Sequence, residues 1–166
     1  MAAKGSASAA PADRLVVITR VFDAPRSLVF KAWTDPERLM QWWGPKGFTT
    51  SVLKLDLHQD GAWRFRMRSP NGTDEWQRGV YCEIVEPERL VFTYAFEDAA
   101  GNLGHETMVT VSFADEGAKT RLTVHHAVFE SVAVRDDHVR GWNEALDRLA
   151  DYSARVWVIN INQLER

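Results

Sequence analysis

Tyr81, Glu83, Tyr94 and His126 are the side chains whose types and spacing could carry acid–base chemistry. Tyr81 and Glu83 stand two residues apart in Trp76–Glu86, a run with strand character, and Tyr94 falls in the next such run, Leu90–Phe96. Residues two apart on a strand share a face. If Val85 pairs with Leu90 across the intervening turn, Glu83 lies opposite Phe92 and Tyr81 opposite Tyr94, so that a carboxylate and two phenols point inward together. A one-residue bulge instead turns Cys82 and Ile84 inward and Glu83 out to water. A glutamate desolvated alone is costly and has a raised pKa, so an inward Glu83 reads as an acid or a hydrogen-bonding anchor for a ligand. An outward one reads as a solvated or arginine-paired surface residue. His126 alternates with Leu122, Val124 and Val128, which sets its imidazole inward, either for acid–base work near neutral pH or as a hydrogen-bonded core residue. Glu83 and His126 are therefore candidates only, and no catalytic residue is assigned.

Other chemistries find little support. His58, His105, His125, His126 and His138 show no metal-ligand spacing, and the single cysteine, Cys82, allows neither an intrachain disulfide nor a thiolate zinc cage. No nucleophile elbow, phosphate loop or dinucleotide fingerprint occurs, so no metal and no cofactor is expected. A net charge of -3 lacks the basic footprint of a nucleic-acid binder. No apolar run approaches the roughly 20 residues that span a bilayer. A reducing, cytoplasmic setting suits the cysteine usage.

The elements that must position these groups follow from periodicity. Arg14–Phe22 is short and β-branched and reads as a first strand. Asp23-Ala24-Pro25 and Asp35-Pro36 are helix-start signals, each followed by apolar residues at helical spacing, so two short helices come next. Gly44-Pro45-Lys46-Gly47 ends the second. From Phe48 the period becomes two. In Trp63-Arg64-Phe65-Arg66-Met67-Arg68 the rings and the methionine take one face and the arginines the other, the pattern of a half-buried antiparallel strand. Strands are expected over Phe48–Leu57, Trp76–Glu86, Leu90–Phe96, Thr107–Phe113 and Thr120–Phe129. From about Val132 to Trp157, residues Val139, Trp142, Leu146, Leu149, Ser153 and Val156 form one apolar helical stripe. The class is α+β. Residues 1–13 are expected as a disordered lead-in, 14–157 as the domain and 158–166 as a tail. Seven tryptophans are a large ring supply, and a set of rings on one inward face either fills a core or lines a cavity. Trp42 and Trp43 would close one end of a cavity if buried, or anchor a partner if exposed. Gly141 interrupts the helical stripe at a cost of about 1 kcal/mol relative to alanine. It either lets the helix approach the sheet or leaves room beside Trp142, and close packing is the reading preferred.

Several strings carry a family likeness: Arg20-Val-Phe-Asp-Ala-Pro-Arg26, Ala32-Trp-Thr-Asp-Pro-Glu37, Trp42-Trp-Gly-Pro45, Gly79-Val-Tyr81, Pro87-Glu-Arg-Leu-Val-Phe-Thr93 and Gly141-Trp-Asn-Glu-Ala-Leu-Asp-Arg-Leu149. In this order they resemble the stand-alone bacterial members of the family named for the activator of a heat-shock chaperone's ATPase, within the SRPBCC or START-like superfamily. The likeness spans roughly Arg14 to Val156. It implies a helix-grip fold: a curved antiparallel sheet of about six to seven strands around the long C-terminal helix, with a cavity between them. The expected occupant is a small apolar, aromatic or lipid-like ligand, lined by Trp43, Trp63, Phe65, Met67, Tyr81, Glu83, Phe92, Tyr94, Val124, His126, Trp142 and Leu146. A cavity enzyme of cyclase or hydrolase type is the first alternative, and a chaperone-ATPase modulator the second. A homodimer through Trp157-Val158-Ile159 and the sheet edge is a further possibility.

Overall fold

A computed structural model describes residues 11–165. The expected lead-in over residues 1–13 falls largely outside that range, and Ala12–Arg14 form a short 3-10 turn. Seven strands follow from the alternating segments: β1 (Val16–Phe22), β2 (Thr49–Leu55), β3 (Ala62–Arg68), β4 (Asp74–Val85), β5 (Arg89–Phe96), β6 (Thr107–Glu116) and β7 (Lys119–Ala127). They form one antiparallel sheet in the order β1-β7-β6-β5-β4-β3-β2. The chain crosses from one edge to the other through α1 (Arg26–Thr34) and α2 (Pro36–Leu39). After β7 it closes with α3 (Val132–Leu164) on the inner, concave face, giving the α+β helix-grip architecture.

Local chemistry explains the element ends. Asp35 caps α2 by accepting from the Glu37 N–H at 3.1 Å, with Pro36 in the first turn. Before α1, however, Pro25 rather than Asp23 holds the cap position, and no side chain caps the helix. Ser131 caps α3 by accepting from the Val134 N–H at 3.1 Å. α3 runs to Leu164, past the end of its apolar stripe. Once nucleated, a helix propagates at little cost per residue even where the apolar period fades.

Alternation along β3 holds as expected: Trp63, Phe65 and Met67 are buried and the arginines lie on the outer face. The core is a continuous ring cluster. Trp33 of α1 stands at its centre, edge-on to Trp42 with centroids 4.7 Å apart and stacked on Trp142 at 5.9 Å. Trp42 and Trp43 are both buried, so neither is an exposed anchor. At Gly79 an added Cβ would lie 1.8 Å from the Thr93 carbonyl oxygen and 2.6 Å from Trp63 Nε1, so only glycine lets β4 approach β5 and this indole so closely.

Candidate functional site

The orientation of Tyr81 and Glu83 is set by the β4–β5 turn. Its loop is three residues long, so Val85 pairs with Arg89 and Ile84 with Leu90, one position off the expected register. A bulge at Cys82 then shifts the pairing again, and Tyr81 lies opposite Phe92. Each expected alternative is thus realised in half of the strand. Tyr81 points inward and is buried, whereas Glu83 lies on the outer face and pairs with Arg89 at 2.6 Å. Glu83 is therefore corrected from a cavity carboxylate to a surface ion pair.

The inward rings do not line one large cavity. Around Trp33, Trp63, Phe65, Tyr81, Leu90 and Phe92 they leave a void of only about 10 Å³, barely one water's worth of space. Val124 and Leu146 are completely buried in the core, away from it. The expected occupant space is instead an open cleft of about 160 Å³ at one end of the grip. Met67, Glu75, Gln77, Tyr94 and Phe96 supply its sheet side, His138, Gly141, Trp142 and Ala145 its helix side, and Trp43-Gly44-Pro45 its end wall. Of the expected lining, Trp43, Met67, Tyr94 and Trp142 border this cleft, while Trp63, Phe65, Tyr81, Phe92, Val124 and Leu146 pack beneath or behind it. Tyr94, Phe96 and His138 also form the partition to a second depression of about 120 Å³ that includes His105, Thr107 and Phe129.

Gln77 and His138 are absent from the lining expected from sequence, yet they organise the cleft's polar atoms. Gln77 shares the inward period of Tyr81 on β4, and His138 stands one helical turn before Trp142, so both signals were present. The hydrogen bonds have one consistent direction. The Trp43 Nε1–H donates to Gln77 Oε1 at 2.9 Å, and Gln77 Nε2 donates to Tyr94 Oη at 2.7 Å. His138 Nδ1 must donate to the Val134 carbonyl at 2.9 Å, which leaves Nε2 to accept from the Tyr94 hydroxyl at 3.2 Å. Burial raises the Tyr94 phenol above its ordinary pKa, so it stays protonated as this chain requires.

His126 is held by a second chain. Trp142 Nε1–H donates to its Nδ1 at 3.1 Å, so Nε2 bears the proton and donates to Thr107 Oγ1 at 2.7 Å. Thr107 in turn donates to the Tyr94 carbonyl at 3.0 Å. Both ring nitrogens are occupied and the imidazole lies behind Tyr94 and Trp142, outside the cleft lining. Of the two expected readings, the geometry matches that of a hydrogen-bonded core residue.

Desolvation lowers His126 well below the ordinary histidine value of 6.5 and lowers His138 as well. Between those depressed values and 6.5 the unfolded chain binds more protons than the folded one, so stability rises with pH across that window. The support is complete above about pH 6.5 and is lost as pH falls through the folded-state values. Unfolding midpoints measured from about pH 8 to about pH 5 should fall, and His138→Gln should shallow the slope. A midpoint independent of pH in this range would contradict the two buried neutral imidazoles.

Comparison with known proteins places this geometry. The sequence model of the family described as Activator of Hsp90 ATPase homolog 1-like protein matches residues 23–154. The chain belongs to this family. A crystal structure from Chromobacterium violaceum is 26% identical and superposes with a TM-score of 0.77, covering 85% of this chain and 97% of that one. The AHSA1 protein of Silicibacter pomeroyi is 25% identical with a TM-score of 0.76, covering 82% of this chain and 95% of that one. DynU16, from the dynemicin biosynthetic locus, shares the fold at 22% identity and a TM-score of 0.67, with 84% of this chain matching 46% of that one. No curated protein matches the chain.

Two of the strings that carried the Activator-of-Hsp90-ATPase-homolog likeness meet at the cleft. Arg148 Nη1 donates to the carbonyls of Trp43, Gly44 and Pro45 at 3.2, 3.0 and 3.0 Å, bracketing the end wall against α3. Glu144 accepts from the Lys46 N–H at 2.9 Å, and Asp147 pairs with Lys46 Nζ at 3.2 Å and with Arg20 at 2.7 Å. Trp42–Pro45 and Gly141–Leu149 thus build one rim. Among the described residues no helix is long and apolar enough to cross a membrane.

Proposed function

We propose that this chain is a small-molecule binding protein whose site is the aromatic cleft at the Trp43–Trp142 end of the grip. The observation that carries the reading is Gly141. It lies inside a long helix, where glycine is unfavourable by about 1 kcal/mol, yet an added Cβ would meet only Pro45 Cγ, at 3.9 Å. Close packing, the reading preferred from sequence, does not account for it; an open cleft wall does. Trp43, Met67, Tyr94 and Trp142, with Gln77, Phe96 and His138, are the proposed contacts. Glu83 and His126, the acid–base candidates, stand outside this set, which favours binding over a cyclase- or hydrolase-like reaction.

The size of the cleft limits the ligand. A cavity of roughly 150 Å³ holds a benzene-sized molecule, and drug-sized ligands occupy roughly 300–1,000 Å³. An occupant would seat one ring against the Trp43–Trp142 pair, whose indoles meet edge-on with centroids 5.6 Å apart, and project any remainder through the open mouth. This narrows the expected ligand: a long acyl chain has no enclosed channel to fill. Titration with benzyl alcohol, toluene and palmitate, followed by tryptophan fluorescence and calorimetry, tests the reading. The one-ring compounds should bind saturably and more tightly than palmitate; failure of every one-ring compound would overturn it.

A further inference from the structure

We propose, resting on the cleft reading above, that the site selects ligands carrying an ammonium group over neutral isosteres, and neutral isosteres over carboxylates. The lining contains the carboxylates of Glu75 and Asp137 and no lysine or arginine. Its histidine, His138, is neutral, with one nitrogen donating to a carbonyl and the other accepting from a phenol. Of the neighbouring cations, Lys46 pairs with Asp147 at 3.2 Å, Arg68 with Asp74 at 2.7 Å and Arg140 with Asp137 at 2.5 Å, while Arg148 is turned onto the Trp43, Gly44 and Pro45 carbonyls behind the end wall. Glu75 is different. It lies on the inner face of β4 opposite Met67, at the mouth, and makes no ion pair among the described residues.

The walls complement this charge. Trp43, Tyr94, Phe96 and Trp142 line the cleft, and an aromatic enclosure beside a carboxylate attracts an ammonium through both the ring quadrupoles and the charge. The floor also retains polar capacity. Gln77 is only 2% exposed and makes one hydrogen bond from each end of its amide, which leaves an N–H and a lone pair available at the cleft floor. A primary amine seated on a single ring matches the cleft in size, charge and hydrogen bonding.

Benzylamine, benzyl alcohol and benzoate share one ring and differ in charge, so their dissociation constants from the wild type and from Glu75→Gln read the selection directly. Exposed ion pairs and cation–π contacts are each modest, so benzylamine should bind about tenfold more tightly than benzoate at low salt, with benzyl alcohol between them. Added salt should narrow the gap, and Glu75→Gln, at an exposed position, should bring benzylamine and benzoate to within about twofold. Equal constants for all three, tightest binding of benzoate, or an order unchanged in Glu75→Gln would overturn the selection while leaving the cleft reading standing. Failure of benzyl alcohol together with benzylamine would overturn both.

Discussion

Replacing Gly141 by leucine is expected to abolish binding of a one-ring ligand while leaving the fold intact and somewhat more stable. The position lies mid-helix, where leucine is favoured over glycine by nearly 1 kcal/mol. Nothing but Pro45 Cγ stands within 4 Å of an added Cβ, so the new side chain extends into the cleft rather than into the core. An isobutyl group occupies much of a space of about 160 Å³. Gly141→Ala is the graded control: a stability gain of about 1 kcal/mol, with affinity reduced rather than lost. Denaturation midpoints and a benzyl alcohol titration on the same samples separate the two effects. If either substitution destabilises the protein, the glycine serves helix–sheet packing and the cleft loses its main support.

Trp33→Ala should have the largest effect on stability, a loss of about 3–5 kcal/mol. That is a large fraction of the roughly 5–15 kcal/mol by which domains are stable. Trp33 is nearly fully buried and packs against Trp42, Trp43, Phe113 and Trp142. Its Nε1–H has no hydrogen-bond partner, unlike that of Trp42, which donates to the Ala32 carbonyl at 3.0 Å. Trp33→Phe should therefore retain most of the stability, since it keeps a ring and removes an unsatisfied donor. Because Trp33 backs both indoles of the cleft wall, Trp33→Ala should also weaken ligand binding in whatever fraction remains folded. Chemical denaturation of the three proteins checks the order wild type, Trp33→Phe, Trp33→Ala. An alanine variant within 1 kcal/mol of wild type would mean that the ring cluster is not the core's centre.

These expectations mix features legible in the sequence with others that were not. Binary alternation in Trp63–Arg68 fixed which face of β3 turns inward, and the Asp35-Pro36 start and the Val139–Val156 stripe located the helices, because each depends only on neighbours a few residues away. The Cys82 bulge depends on how β4 meets β5, with Gly79 pressed against the Thr93 carbonyl and a three-residue turn setting the register. No local pattern encodes that, and it is what decides between the two orientations left open for Glu83. Alternation also reports a face and not a depth. Trp63, Phe65, Tyr81 and Phe92 face inward as read, but the four rings consume the space around them, while the Trp43–Trp142 end stays open. Gln77 and His138 are ordinary polar residues in isolation. Their role emerges when β4, β5 and α3 bring them to opposite sides of Tyr94.

The tryptophan indole N–H signals of the folded protein provide the most direct test that the cleft is the ligand site. On titrating a one-ring ligand into the uniformly ¹⁵N-labelled chain, the indole resonances of Trp43 and Trp142, which line the cleft, should shift most and saturate with a common dissociation constant. Those of Trp76, in β4 but not in the cleft lining, and Trp157, about four helical turns beyond Trp142, should stay in place. Saturable binding that moves Trp76 or Trp157 and leaves Trp43 and Trp142 unchanged would contradict the account.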